Sequence, residues 1–363
     1  MRPVMRRISL TALMLLAAPL AANAASKAVY GVDDRKDYFE VSRERQTLAD
    51  SVVSLWDRSK VSQYQSGDYL LSARPFAEKI FNREGGKLCP SERFREQPIG
   101  AECSGTLVGE DLVMTAGHCI NAQHDCDEMA VVFDFNIKSR GGTAPSQVPS
   151  SSVYFCKSVV TARYEEVSPV AETRDSRLMD YAIIKLDRKV TGRKPLLIDR
   201  KGGLAAGSQL FAIGHPVGLP AKIADGASVL SFRPEDPCYE TDLDTYGGNS
   251  GSGVFNAGTG LLEGILVRGR EDFIKTPEGC YVSQVYEQSP NNGSEMVTNV
   301  AMVAGYIPDP EEKRDLAPEP VAVDLRGIKI DVPAKGSWDD LSRGYSRKGS
   351  NRTGAFNNMN RAP

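Results

Sequence analysis

Gly105-Thr-Leu-Val-Gly-Glu-Asp-Leu-Val-Met-Thr-Ala116 holds two short apolar runs, 105–108 and 112–116, separated by Gly109-Glu110-Asp111. Runs this short suit strands better than helices, and a Gly/Asp cluster between them is turn chemistry. The same punctuation recurs outward along the chain. Apolar, β-rich runs occupy 51–56, 129–137, 153–160, 181–186, 210–213, 252–255 and 261–267, with Gly, Pro, Asn or Asp between most of them, as in Asn256-Ala257-Gly258. Strands that follow strands in this way predict an all-β sandwich or barrel over residues 50–290, not an alternation of strands and helices. The polar stretch 138–152 is expected to be a surface loop, and the charged stretch 187–195, ending in Pro195, a joint between two β units. No internal repeat is visible in the sequence.

The ends differ from this middle. Arg2, Arg6 and Arg7 precede an apolar run at 8–20 and the small residues of Ala22-Asn23-Ala24, the pattern of a cleavable export signal over 1–24. From 308 to 363 the chain is rich in Pro, Ser, Asn and charge and poor in apolar residues, so it is expected to be a disordered tail. The basic stretch 343–363 makes a docking segment the alternative to a solvated tail. Across 363 residues, 44 Lys+Arg face 47 Asp+Glu, and three of the arginines lie in the leader. An acidic mature chain argues against nucleic-acid binding, which draws its affinity from neutralised phosphates. No later segment holds 18 consecutive apolar residues, so no membrane span is expected. In an oxidising compartment the seven cysteines should be mostly paired, with one left over.

Histidine-based chemistry has few candidates: His118, His124 and His215. His118 lies in Thr115-Ala116-Gly117-His118-Cys119, just after an apolar run. Asp180 opens Asp180-Tyr181-Ala182-Ile183-Ile184-Lys185-Leu186. Ser250 lies in Gly247-Gly248-Asn249-Ser250-Gly251-Ser252-Gly253. A serine hydroxyl is a weak nucleophile. It needs a base to take its proton, and the base needs a carboxylate to fix its tautomer. The small residues around Ser250 permit a tight turn that aims the N–H groups of Gly248 and Ser250 at one developing oxyanion. An α/β-hydrolase is excluded, because there the histidine follows the serine and no histidine follows position 215. A zinc site from His118, Cys119, His124 and Cys126 matches none of the usual ligand spacings.

These three motifs, in the order His–Asp–Ser, resemble the chymotrypsin-like (trypsin family) serine peptidases. Gly-Asn-Ser-Gly-Ser and the early Gly31-Val32-Asp33-Asp34-Arg35 are closest to bacterial secreted members such as the glutamyl endopeptidases. The resemblance covers roughly residues 28–307. It implies two perpendicular antiparallel six-stranded β-barrels with the active site in the cleft between them. The organisation is then a leader (1–24), an N-terminal region and first barrel (25–187), a second barrel (188–307) and the tail (308–363). By the resemblance Ser250 is the nucleophile, His118 the general base and then acid, and Asp180 the orienting carboxylate. Gly248 and Ser250 supply the oxyanion N–H groups, and a Cys103–Cys119 disulfide closes the histidine loop. Sequence proximity suggests Cys126–Cys156 and Cys238–Cys280, leaving Cys89 free. Asp244, six residues before the nucleophile, stands where trypsin-like enzymes place a specificity carboxylate, and Arg268 lies on the strand expected to form the other pocket wall. Three departures stand out. Asn249 replaces an aspartate, so the oxyanion turn is expected to form without an ammonium–carboxylate switch at that position. Leu266 replaces the specificity histidine of the glutamyl endopeptidases. Residues 57–102 are longer than a minimal member needs.

The expected protein is an exported, monomeric serine endopeptidase, periplasmic or extracellular. It acts on a polypeptide substrate and uses no metal or other cofactor. The alternative is a catalytically inactive relative that serves as a binding or adhesion protein.

Overall fold

The strands deduced from the turn punctuation close into rings. The computed structural model describes residues 28–81, 85–120, 122–165, 176–289 and 295–310. The leader expected over 1–24 and nearly all of the tail expected over 308–363 fall outside them. The first ring contains β1 (Val52–Asp57), β2 (Cys103–Leu107), β3 (Leu112–Thr115), β4 (Met129–Val132), β5 (Val153–Tyr164) and β6 (Asp180–Leu186). They hydrogen-bond in the cyclic order β1-β2-β3-β6-β5-β4, and β4 returns to β1 with Val131 opposite Leu55. The second ring contains β7 (Gln209–Gly214), β8 (Lys222–Ser231), β9 (Cys238–Thr241), β10 (Gly253–Asn256), β11 (Leu262–Arg268) and β12 (Glu295–Asn299). Its order is β7-β8-β9-β12-β11-β10, closed by β10 onto β7. All pairings within the rings are antiparallel. The two rings thus share one topology, although no repeat is visible in the sequence.

The apolar runs are nearly continuous, and not alternating, because many strands are buried on both faces. Successive side chains point to opposite faces of a strand. In β3 and β6, Val113, Ala182 and Ile184 fill the first barrel together with Val53, Leu55 and Phe133. Their neighbours Met114 and Ile183 point the other way, into a core shared with Phe211, Ile213, Phe255 and Ile265 of the second barrel. Leu210, Ala212, Val254, Leu266 and Val297 fill the second barrel itself. One face of each of these strands builds a barrel and the other joins the barrels.

Two features differ from the sequence expectation. Residues 29–37, grouped by chain order with the first barrel, pair with the second. Arg35–Asp37 adds an edge to β8, with Asp37 opposite Lys222, and Val29–Tyr30 runs parallel to Val285–Tyr286. The buried Lys222 ammonium sits 2.6 Å from Asp37 and fastens the first of these contacts. The cysteine pairing is also corrected. Cys103–Cys119 and Cys126–Cys156 are bridged, but the third bridge joins Cys89 to Cys280, and Cys238 is free and buried. Proximity failed because topology overrides it. Leu88 bridges to Tyr281 and Cys89 N–H donates to Tyr281 O, which brings two segments 191 residues apart together. Cys238 faces inward, its thiol 3.2 Å from Leu178 O.

One thiol should therefore resist alkylation in the native protein and react once denatured, with peptide mapping placing it at Cys238. Cys89→Ser/Cys280→Ser should lower unfolding free energy by roughly 2–5 kcal/mol, as measured by denaturant titration.

Candidate active site

The site lies where the two barrels meet. His118 sits in the short 3-10 turn Gly117–Cys119 that follows β3, and Asp180 begins β6, the strand paired with β3. Asp180 is fully buried and holds the histidine at two points. His118 Nδ1 donates to Oδ2 at 2.7 Å, and the His118 backbone N–H donates to Oδ1 at 3.1 Å. With Nδ1 engaged, Nε2 is the nitrogen left for proton transfer. Thr298 Oγ1, on β12 of the second barrel, donates to Asp180 O at 2.7 Å and ties the aspartate across the interface. Gly117 is required here, because a Cβ would overlap Arg163 O and come within 2.9 Å of Tyr181 O.

Ser250 is buried in the turn entering β10. Gly251 N–H donates to Leu266 O at 2.8 Å, and Asn249 N–H to Tyr246 O at 2.9 Å. Asn249 Oδ1 accepts from Ser252 Oγ at 3.1 Å, so this uncharged side chain closes the turn on itself. Gly248 adopts φ +91°, a conformation that favours glycine, and a Cβ there would lie 2.8 Å from His215 O. Among the described residues, the N–H groups of Gly247, Asn249, Gly251 and Ser252 all have acceptors, whereas that of Gly248 has none. An unspent, preorganised N–H beside the Ser250 hydroxyl is a donor that could serve a developing anion.

Ser104, at the start of β2, holds this turn against the first barrel. Its N–H donates to Ser250 O and its hydroxyl donates to Gly248 O, both at 2.8 Å. The same hydroxyl accepts from His215 N–H at 2.8 Å. Cys119 Sγ lies 3.8 Å from Ser250 O, so the disulfide beside His118 packs on the Ser250 backbone. Sequence reasoning missed Ser104, since a serine in a strand carries no mark of its partners.

Asp244 and Arg268 are placed otherwise than as an open pocket pair. Both carboxylate oxygens of Asp244 accept backbone N–H groups of the N-terminal segment, from Tyr30 at 2.6 Å and Asp34 at 3.1 Å. Burial, with the Asp34 charge nearby, pushes the Asp244 carboxyl up to about 7 against those hydrogen bonds. Asp244 thus anchors the segment that braces the turn. Arg35 adds to this bracing. It is buried, lies 3.9 Å over the Tyr246 ring and donates to the Tyr246 hydroxyl at 2.7 Å. The resemblance had marked Arg35 only as part of Gly31-Val32-Asp33-Asp34-Arg35. Arg268 is also buried, and its guanidinium donates to Leu178 O at 3.3 Å. Of the residues considered for zinc, Cys119 and Cys126 are both in disulfides; Cys103, His118 and Cys119 offer atoms within 4.8 Å of one another, but there too the two sulfurs form one disulfide and are not thiolates.

Comparisons with known proteins place these residues in context. Residues 103–265 match the model of the trypsin-like peptidase domain. The secreted RxLR effector protein 73 of Plasmopara viticola is 25% identical over 163 residues, 42% of this chain, and the match spans only 38% of that relative. Among solved structures, the Vibrio cholerae VesB protease is 14% identical, with a TM-score of 0.42 over 76% of this chain and 66% of its own. A Glu endopeptidase in complex with MPD is 17% identical, with a TM-score of 0.40 over 76% of this chain and 96% of its own.

The loop behind the turn generates a pH prediction. His215 is buried, its Nδ1 is 2.9 Å from Leu219 O, and Nε2 has no partner among the described residues. Burial, aided by the nearby Lys222 charge, lowers it from 6.5 to about 4 despite the Leu219 hydrogen bond. The unfolded chain therefore takes up this proton first. The stability due to neutral His215 is present above pH 6.5 and lost as pH falls to about 4, roughly 3 kcal/mol in all. Unfolding titrations should show wild type losing that much relative to His215→Gln over this window. The raised Asp244 acts in the opposite direction in both proteins and cancels from the comparison.

Proposed function

We propose that this chain, which carries a trypsin-like peptidase domain over residues 103–265, is an exported serine endopeptidase. The observation that carries the reading is the two-point grip of Asp180 on His118, which fixes both tautomer and ring position. Three disulfides among the described residues support export to an oxidising compartment.

Ser250 Oγ attacks the scissile carbonyl carbon while His118 Nε2 accepts the hydroxyl proton. The developing oxyanion takes hydrogen bonds from the N–H groups of Gly248 and Ser250. Collapse of the tetrahedral species breaks the C–N bond, and His118 returns the proton to the departing amine. Water then attacks the acyl-enzyme by the same route in reverse. Asp180 stays ionised and stabilises the imidazolium. Ser104 contributes by fixing the Gly248 carbonyl, and with it the plane of the peptide entering Asn249.

A fluorophosphonate probe should label Ser250, and Ser250→Ala should abolish labelling. An unlabelled native protein would instead favour the inactive binding relative. On peptides, Ser250→Ala and His118→Ala should each lower kcat by roughly 10⁴–10⁶, with the double variant little worse than either single one. Asp180→Asn should lower kcat by about 10⁴. Ser104→Ala should lower kcat about tenfold with KM nearly unchanged, because it loosens a group used in the transition state. A KM-only effect would remove Ser104 from that role.

A further inference from the structure

The long 57–102 stretch builds a cationic cleft on an otherwise acidic chain. Lys60, Arg74 and Lys79 line a cavity of about 460 Å³ with Gly100, Ala101 and Val217. The backbone brings the three cations together. Arg74 pairs in register with Ile99, and Ser72 N–H donates to Lys60 O at 2.8 Å. Lys60 is paired with exposed Glu102 at 2.8 Å, which offsets one charge. Among the described residues, neither Arg74 nor Lys79 forms an ion pair. Burial, aided by the Arg74 charge and opposed by Asp272, holds the Lys79 ammonium below its ordinary value. Three cations face only Glu102 and the more distant Asp272, so the cleft keeps a net positive charge that an anion would complete.

The cleft adjoins the reacting centre. Val217 N–H donates to Gly247 O, Gly100 N–H donates to Gly218 O, and the backbone N–H groups of Val217 and Gly218 pack against Gly248. Its wall also leads to the catalytic histidine. Ala101 lies two residues before Cys103, about 7 Å of extended chain, and Cys103 is bridged to Cys119 beside His118. On the endopeptidase reading His118 protonates the departing amine, so the leaving half of a substrate begins beside this bridge, within reach of the cleft.

Resting on the endopeptidase reading, we propose that the cleft binds acidic side chains of the substrate's leaving half, within about two to four residues of the scissile bond. A carboxylate there meets Arg74 in a forked geometry and Lys79 as a point charge.

The test uses internally quenched peptides randomised on the acyl side, with Glu-Glu, Gln-Gln or Lys-Lys fixed at the second and third leaving-side positions. At low salt the Glu-Glu set should be cleaved with kcat/KM about tenfold above Gln-Gln, and Lys-Lys should be slowest. The preference should shrink with added salt. Arg74→Gln and Lys79→Gln should each reduce the Glu/Gln ratio about threefold, the double variant should bring it near one, and Lys189→Gln should leave it unchanged. Equal rates for the three sets overturn the proposal. If no peptide is cleaved and the fluorophosphonate probe does not label Ser250, the endopeptidase reading fails, and binding then decides the cleft separately. A fluorescein-labelled Glu-rich peptide should bind the full-length Ser250→Ala protein and lose that binding when Arg74→Gln and Lys79→Gln are added. No binding to Ser250→Ala, or binding indifferent to those changes, overturns the proposal.

Discussion

The Ser104 hydroxyl is the point at which one barrel fixes the chemistry of the other. A single oxygen donates to Gly248 O and accepts from His215 N–H, while the Ser104 backbone reaches Ser250 O. His118 and Asp180 belong to the first barrel, and Ser250 and its turn to the second. Neither half can set the distance between them alone. Apolar packing of Met114 and Ile183 on Phe211 and Ile265 supplies adhesion but no direction. The Ser104 bonds, with Thr298 on Asp180 O, supply direction at the two places where the reacting groups sit. In a water-poor interface such bonds are costly to break, so they convert adhesion into alignment.

Much of the fold was legible in the sequence, for a physical reason. Strands buried on both faces lose alternation but keep their turns, so Gly109-Glu110-Asp111 and Asn256-Ala257-Gly258 marked boundaries that burial could not hide. The candidate site was legible where the fold demands particular backbone: glycine at 117 because the turn touches Arg163 O, and glycine at 248 because its φ is positive. Such demands are local and leave a local trace.

What escaped were several contacts between distant segments that carry no motif. Cys89 and Cys280 are joined by a bridge at Leu88 and Tyr281 that no spacing announces. Asp244 was assigned by its distance along the chain from Ser250, whereas its environment is set by Tyr30 and Asp34, more than 200 residues away. The shared ring order of the two barrels escaped for a different reason. Topology constrains which strands neighbour one another, while many side chains of similar volume satisfy the same interior, so one plan can be written twice without leaving a readable repeat.

The N-terminal edge has a consequence in time. Residues 29–37 are made early, yet their partners are β8, Asp244 and the strand at Val285–Tyr286. A chain built from its N-terminus holds Arg35–Asp37 without β8 for some 185 residues of growth, and Val29–Tyr30 without its parallel partner for some 256. The brace on that turn is complete only after Val285–Tyr286 has arrived. A nascent or truncated chain thus carries His118, Asp180 and Ser250 well before it carries the segment's brace on the Ser250 turn, and completion of the fold is the step that sets that turn.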